Sequence, residues 1–246
     1  LAYAQNDDPS RAIDWYRRAV EAADGSASFK AAEQLGNLMA RAGELADDAK
    51  PIEQAVTLLE RVALLHGTVE RESLLGSAHK RAALLHAKRR ETAAELASLR
   101  ASATHYAQAE AQAQRSGADN LFYPAMNAIA VELRLALAQR QPIVLDAQRV
   151  SALRRSLQAK VERDPDFWSV AGVGELAMLE AMAAGRLAQV RDRVVAQLRD
   201  LAARVPAAWM WDSLLAQARF TLEPYARQSR ADEKQAANTL LEELAT

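Results

Sequence analysis

Residues 72–86 read ESLLGSAHKRAALLH. The segment is made of helix formers with apolar residues at helical spacing, yet Gly76 stands in its middle. A glycine inside a helix costs about 1 kcal/mol relative to alanine, so something in the fold must offset it. The same Leu-Gly pair stands 40 residues earlier, as Leu35-Gly36 in AEQLGNLMARAGE (residues 32–44). A glycine that faces a partner helix lets the two backbones meet closely, and the packing gained there offsets the propensity lost. The spacing therefore predicts paired helices, with Gly36 and Gly76 at the closest approach.

The rest of the chain has the same character. Half of its 246 residues are hydrophobic, aromatics are 5%, and alanine and leucine dominate, which suits helix–helix contacts better than a β-rich core. The net charge is −1, from 31 basic and 32 acidic residues, so nothing global points to nucleic acid or a membrane surface. Cysteine is absent. No disulfide framework and no thiolate zinc site can form, and a reducing cytoplasm is the expected location. No apolar run reaches the roughly 18 residues of a membrane span, and the opening residues do not read as a signal peptide. The chain starts on Leu1 rather than Met, so we expect a segment of a longer protein.

Glycines or prolines fall near residues 25, 43, 51, 67, 117, 142, 165, 185 and 206. Between them the pattern predicts eleven helices, at 9–24, 27–42, 51–66, 69–88, 91–116, 120–140, 146–163, 166–184, 187–204, 207–222 and 225–244. Asp8-Pro9 and Asp164-Pro165 pair a capping residue with a proline suited to the first helical position, and Val205-Pro206 puts a proline in the same role. Gly25, Gly43, Gly67, Gly117 and Gly185 are expected at helix ends in the left-handed conformation. The hairpins repeat loosely. Ala12, Tyr16 and Ala19 in AIDWYRRA carry the small–aromatic–small order of the second helix of a tetratricopeptide repeat. Ala55, Leu59 and Val62, and then Ser102, Tyr106 and Ala109, follow the same spacing. Asn127 is a candidate for the glycine's place in FYPAMNAIA, and either Gly172 or Gly174 for it in FWSVAGVGELAML. The expected fold is an all-α superhelical array of antiparallel helix pairs, a tetratricopeptide-like α-solenoid. Residues 1–140 would form the repeats, and residues 141–246 would continue and cap them as one continuous domain.

Taken in order, LLGSAHKRAAL, HYAQAEAQ, LFYPAMNAIA, DFWSVAGVGELAML and RVPAAWMWDSLLAQARFTLEPY resemble the tetratricopeptide repeat–sensor family, over roughly residues 10–228. That family is related to the TRAF-binding domain of apoptosis-signal-regulating kinases. The resemblance implies an all-helical regulatory module. In bacteria such modules are similar to sensor segments beside effector domains of defence or signalling proteins, caspase-like CHAT proteases among them.

A search for chemistry yields little. His79 and His86 are seven residues apart and His66 and His105 stand alone, without the HExxH spacing of a metalloprotease. No phosphate-binding glycine loop, nucleophile elbow or assignable Ser/His/Asp set is present. The expectation is a protein that is not an enzyme and has no cofactor and no metal. The basic runs Lys88-Arg89-Arg90 and Arg154-Arg155 read as solvated helix surface, with a phosphate or nucleic-acid contact as the alternative.

The most pointed polar set is Asn37, His79, Lys80, Arg81, Tyr123 and Asn127. The repeat alignment puts all six on first helices, which line the concave face of a solenoid. Trp168 and Trp211, with Trp209, open the later first helices and either fill the core or frame an aromatic patch. The expected function is a sensor or scaffold arm that captures a protein or peptide partner, or couples to an attached effector domain. The alternative is a small-molecule sensor for a nucleotide-type ligand, using Lys80, Arg81 and Tyr123. Self-association is a further expectation for proteins of this shape.

Overall fold

The computed structural model describes residues 9–22, 28–117, 121–204 and 208–245. Among them are eleven α-helices and no strand: α1 (Pro9–Val20), α2 (Phe29–Leu45), α3 (Ala49–Leu65), α4 (Val69–Lys88), α5 (Thr92–Ser116), α6 (Phe122–Gln139), α7 (Ala147–Arg163), α8 (Phe167–Ala183), α9 (Leu187–Ala202), α10 (Ala208–Gln228) and α11 (Ala231–Ala245). The fold is all-α and built by helix pairing, the tetratricopeptide-like solenoid class that the sequence predicts. The chain divides into two compact units, residues 1–116 and 117–246. Residue 140, the expected end of the repeats within one continuous domain, lies just after α6.

In the first unit α2 packs on α3 and α4 on α5, while α3 and α2 both touch α4. Leu35 and Met39 of α2, Ala55 and Leu59 of α3, and Leu75 and Ala78 of α4 form one buried cluster, onto which Ile13, Tyr16 and Val20 of α1 fold. The two interior glycines sit at the contacts that define this stack. A Cβ on Gly36 would lie 2.7 Å from Cγ of Leu59, and one on Gly76 would lie 2.7 Å from the Tyr106 ring. Neither distance is compatible with a side chain, so each glycine is where a large residue of the next helix meets bare backbone. Ser102, fully buried one turn before Tyr106, donates its hydroxyl to the Gly76 carbonyl at 2.7 Å. The paired residues of the second helices, Leu59 and Tyr106, are among the most buried in the chain.

A buried ion pair joins the layers. Glu33 of α2 and Arg71 of α4 meet at 2.7 Å with both side chains 8% exposed. Arg71 also donates to the His66 carbonyl at 2.5 Å and lies over the Phe29 ring at 4.9 Å. The carbonyls at the end of α3 have no partners further along that helix, so the guanidinium both caps α3 and neutralises Glu33.

In the second unit α7 packs on α8 and α8 on α9, with α6 against both α7 and α8. The last two helices depart from simple repetition. α11 packs on both α9 and α10, and α10 returns to lie against α6. Glu233 of α11 fixes this arrangement. Its buried carboxylate accepts from the backbone N–H groups of Leu187 at 2.8 Å and Ala188 at 3.1 Å, and from the Tyr225 hydroxyl. The residue preceding α9, Arg186, provides no side-chain cap. A carboxylate from another helix therefore caps α9, where an anion is also favoured by the helix dipole. Burial and the bond to Glu233 push the Tyr225 hydroxyl above its ordinary pKa, so it stays a donor.

Several boundaries differ from the sequence expectation. Gly43 lies inside α2, and a Cβ there would be 2.7 Å from Ile52 and 2.8 Å from the Asp48 carbonyl. It serves close packing rather than a left-handed stop. Gly67 does not adopt a left-handed conformation either. Gly117 and Gly185 do, at φ of 61° and 62°. Asp47, Arg90 and Arg140 take the left-handed position after α2, α4 and α6, as Gly185 does after α8. At each of these four ends the next N–H reaches back to a carbonyl of the last turn: Asp48 to Gly43, Glu91 to His86, Gln141 to Ala136 and Arg186 to Ala181. This is the Schellman closure.

Asp166, not Asp164, caps α8, in a reciprocal capping box with Ser169. Pro165 therefore precedes the helix instead of opening it. The last two helices were expected at 207–222 and 225–244, but α10 runs on through Pro224 to Gln228. Pro224 lacks only the N–H that would bond one turn back, and it is buried, so packing holds the helix through the gap. Gly25, Asp8 and Val205-Pro206 lie outside the described residues. Neither Gly172 nor Gly174 repeats the relation of Gly36 and Gly76 to the next helix. Gly172 is tight, but against Leu157 of the preceding α7, at 2.9 Å, and Gly174 has 3.4 Å to the mobile end of Gln197.

Two stability outcomes follow from this packing. Gly76→Ala is expected to lower stability by about 1–3 kcal/mol through overpacking against Tyr106, while Gly174→Ala is neutral or gains up to about 1 kcal/mol from helix propensity. Urea titration of both variants checks the contrast. Glu233→Ala leaves two N–H groups and a hydroxyl without their acceptor and is expected to cost about 2–4 kcal/mol, seen as a lowered melting temperature.

Candidate binding faces

The eight residues singled out from sequence divide evenly. Asn37, His79, Lys80 and Arg81 belong to the first unit, and Tyr123, Asn127, Trp168 and Trp211 to the second.

In the first unit the four do not converge. Arg81 reaches from α4 to α2 and forms an ion pair with Glu44. Its Nε is buried without a protein partner among the described residues. His79 lies on another side of α4 and stacks on His105 of α5, with centroids 5.4 Å apart and planes 5° from parallel. His105 in turn meets Glu72 through Nδ1 at 2.8 Å. Burial, with the His105 ring beside it, pushes the His79 pKa down to about 4, so at neutral pH His79 is an uncharged stacking element. Asn37 and Lys80 are half-buried. The basic run that follows also has structural work. Lys88 pairs with the Asp47 carboxylate at 2.7 Å and Arg89 donates to the Asp47 carbonyl at 2.5 Å. Together they tie the end of α4 to the left-handed turn after α2.

In the second unit Asn127 donates to the Tyr123 carbonyl one turn earlier on α6, at 3.0 Å, and Tyr123 is exposed. The tryptophans do come together. Phe167 meets Trp168 and Trp211 edge-on, with centroids at 4.9 and 5.4 Å, and Trp168 lies 6.1 Å from Trp209. Phe167 is buried, while Trp168 is 36% and Trp209 50% exposed. The start of α8 and the start of α10 thus build an aromatic patch with a buried base and an open face.

Sequence reasoning passed over one further feature. A groove runs along the outer side of α8 between α7 and α9. One part, of about 500 Å³, is walled by Arg154, Gln158, Arg186, Gln189 and Arg193. It continues past Val173 and Gln197 into a part of about 240 Å³ lined by Val161, Val170 and Leu201. The Arg154-Arg155 run was the only hint of it, because its other members lie on two further helices and carry no motif.

With this geometry in hand, comparison with known protein families gives a match. Residues 8–132 fit the Tetratricopeptide Repeats-Sensor family. The chain belongs to that family. The match spans the described helices of the first unit and reaches into α6. No curated protein matches the chain. Family membership makes the chain a repeat-based sensor or interaction module, and among the described residues no helix is long and apolar enough to cross a membrane.

The His79–His105 stack carries a pH signature. Folding keeps His79 neutral down to about pH 4, while the unfolded imidazole takes a proton below its ordinary pKa near 6.5. Between those values the unfolded state binds more protons, so stability falls as pH falls. The melting temperature is expected to drop from pH 7 to pH 5, and His79→Gln should flatten that drop.

Proposed function

We propose that this Tetratricopeptide Repeats-Sensor chain is a non-catalytic regulatory arm of a larger signalling or defence protein. It captures a protein or peptide partner in the cytoplasm and passes the event to an attached effector. The observation that carries the reading is the aromatic patch. Trp168 meets buried Phe167 edge-on, and Trp209, half open to solvent, lies against Trp168. Large exposed aromatics anchored in this way are the residue type that dominates binding energy at protein interfaces, and a helical repeat framework is suited to presenting them.

The nucleotide-sensor alternative has less support. Arg81 is held by Glu44, and Tyr123 belongs to the other unit. A thermal-shift screen of nucleotides, second messengers and short peptides separates the two. A ligand at one hundred times its dissociation constant adds about 2.7 kcal/mol of stability. The expected result is a shift from peptides that Trp168→Ala removes, and none from nucleotides. A nucleotide shift that Lys80→Ala abolishes would replace this reading with the small-molecule sensor.

A further inference from the structure

The groove along α8 has a chemistry that selects its occupant. Its floor is the outward stripe Val170, Val173 and Ala177, three and four residues apart, so that each lies about one turn from the next on one helix face. Both walls are helices, α7 and α9. Three guanidiniums, Arg154, Arg186 and Arg193, gather at one end against a single carboxylate, Glu180, which meets Arg154 at 2.5 Å. Among the described residues neither Arg186 nor Arg193 has a side-chain partner. At the other end the one acid, Asp200, is already paired with Arg204. The groove therefore has an apolar floor and carries its arginines over its larger part, in a chain whose net charge is −1.

We infer that this groove binds an amphipathic helix of a partner protein, with apolar side chains on the Val170–Ala177 stripe and carboxylates at Arg186 and Arg193. Charge complementarity requires the acids. The stretch of α8 along the groove, from Val170 to Glu180, is about 15 Å long at 1.5 Å per residue, the span of about three helical turns. A helix satisfies its own backbone groups, as an apolar floor without a strand edge requires. No aromatic side chain lines the groove, so a nucleobase would find no stacking face. The chain's own acidic amphipathic helix, α11, already buries Ala236, Ala237, Leu240 and Leu244, so a second copy would have to unfold that helix to supply it.

The inference rests on the reading of the chain as a polypeptide-binding module, and the experiment separates the two. Random peptides long enough for about three helical turns are displayed and selected on the 246-residue chain. Selection is repeated on an Arg186→Glu/Arg193→Glu variant and on Trp168→Ala, each shown to melt like the parent. The expected result is a consensus of apolar residues at helical spacing followed by acids. The double charge reversal should weaken the selected peptide about tenfold or more, and exchanging its acids for lysines should restore binding to that variant. Enriched peptides that ignore the two arginines but need Trp168 overturn the groove and leave the module reading standing. Absence of any enriched peptide overturns both. Concentration-dependent self-association that the double variant abolishes overturns it in favour of a second copy of the chain.

Discussion

Everything in the first unit depends on two places where a bulky side chain of one helix rests on the bare backbone of another. Leu59 lies over Gly36 and Tyr106 over Gly76. A close-packed interior has no room for a methyl group at either contact. The contacts therefore fix which face of α2 meets α3 and which face of α4 meets α5. With those faces assigned, Leu35, Met39, Leu75 and Ala78 fall into one core, and Glu33 and Arg71 are brought together where neither could sit alone. Removing either member of that pair would strand a buried charge, a much larger loss than the net worth of the pair.

The second unit solves the same problem differently. No glycine there lets a residue of the following helix rest on its backbone as Leu59 and Tyr106 do. Polar closure takes over, with Glu233 capping α9 from α11 and holding Tyr225. The central helix of this unit, α8, packs against α6, α7, α9 and α10, and two surface features adjoin it. One is the aromatic patch with Trp209, and the other the groove between α7 and α9. Both proposed binding surfaces thus lie where the regular pairing of the first unit is relaxed.

The helix count, the paired architecture and the meaning of Gly36 and Gly76 were legible in the sequence, because apolar spacing and a repeated Leu-Gly pair report local packing directly. The helix ends were less so. A search for glycine finds Gly185 but not Asp47, Arg90 or Arg140, which adopt the same left-handed turn because the Schellman bonds around them compensate. It also assigns Gly43 a stop that belongs to the residues after it. The expected break at 222–225 fails for a related reason, since buried packing on α10 carries the helix through Pro224. Of the candidate binding residues, the tryptophans come together in space, as their clustering in sequence near helix starts suggested. His79 and Arg81 looked like one polar group, yet two residues apart on a helix they face different neighbours. The α8 groove had no linear signature, because three helices contribute to it.

The central claim is that the glycines serve close approach rather than flexibility. A double-mutant cycle at Gly36 and Leu59, read by urea denaturation, tests it most directly. Gly36→Ala should destabilise the parent chain, but in a Leu59→Ala background, where the opposing atoms are gone, the same change should become stabilising by up to about 1 kcal/mol through helix propensity. An equal cost in both backgrounds would contradict the account, because it would mean that the penalty at Gly36 does not come from Leu59.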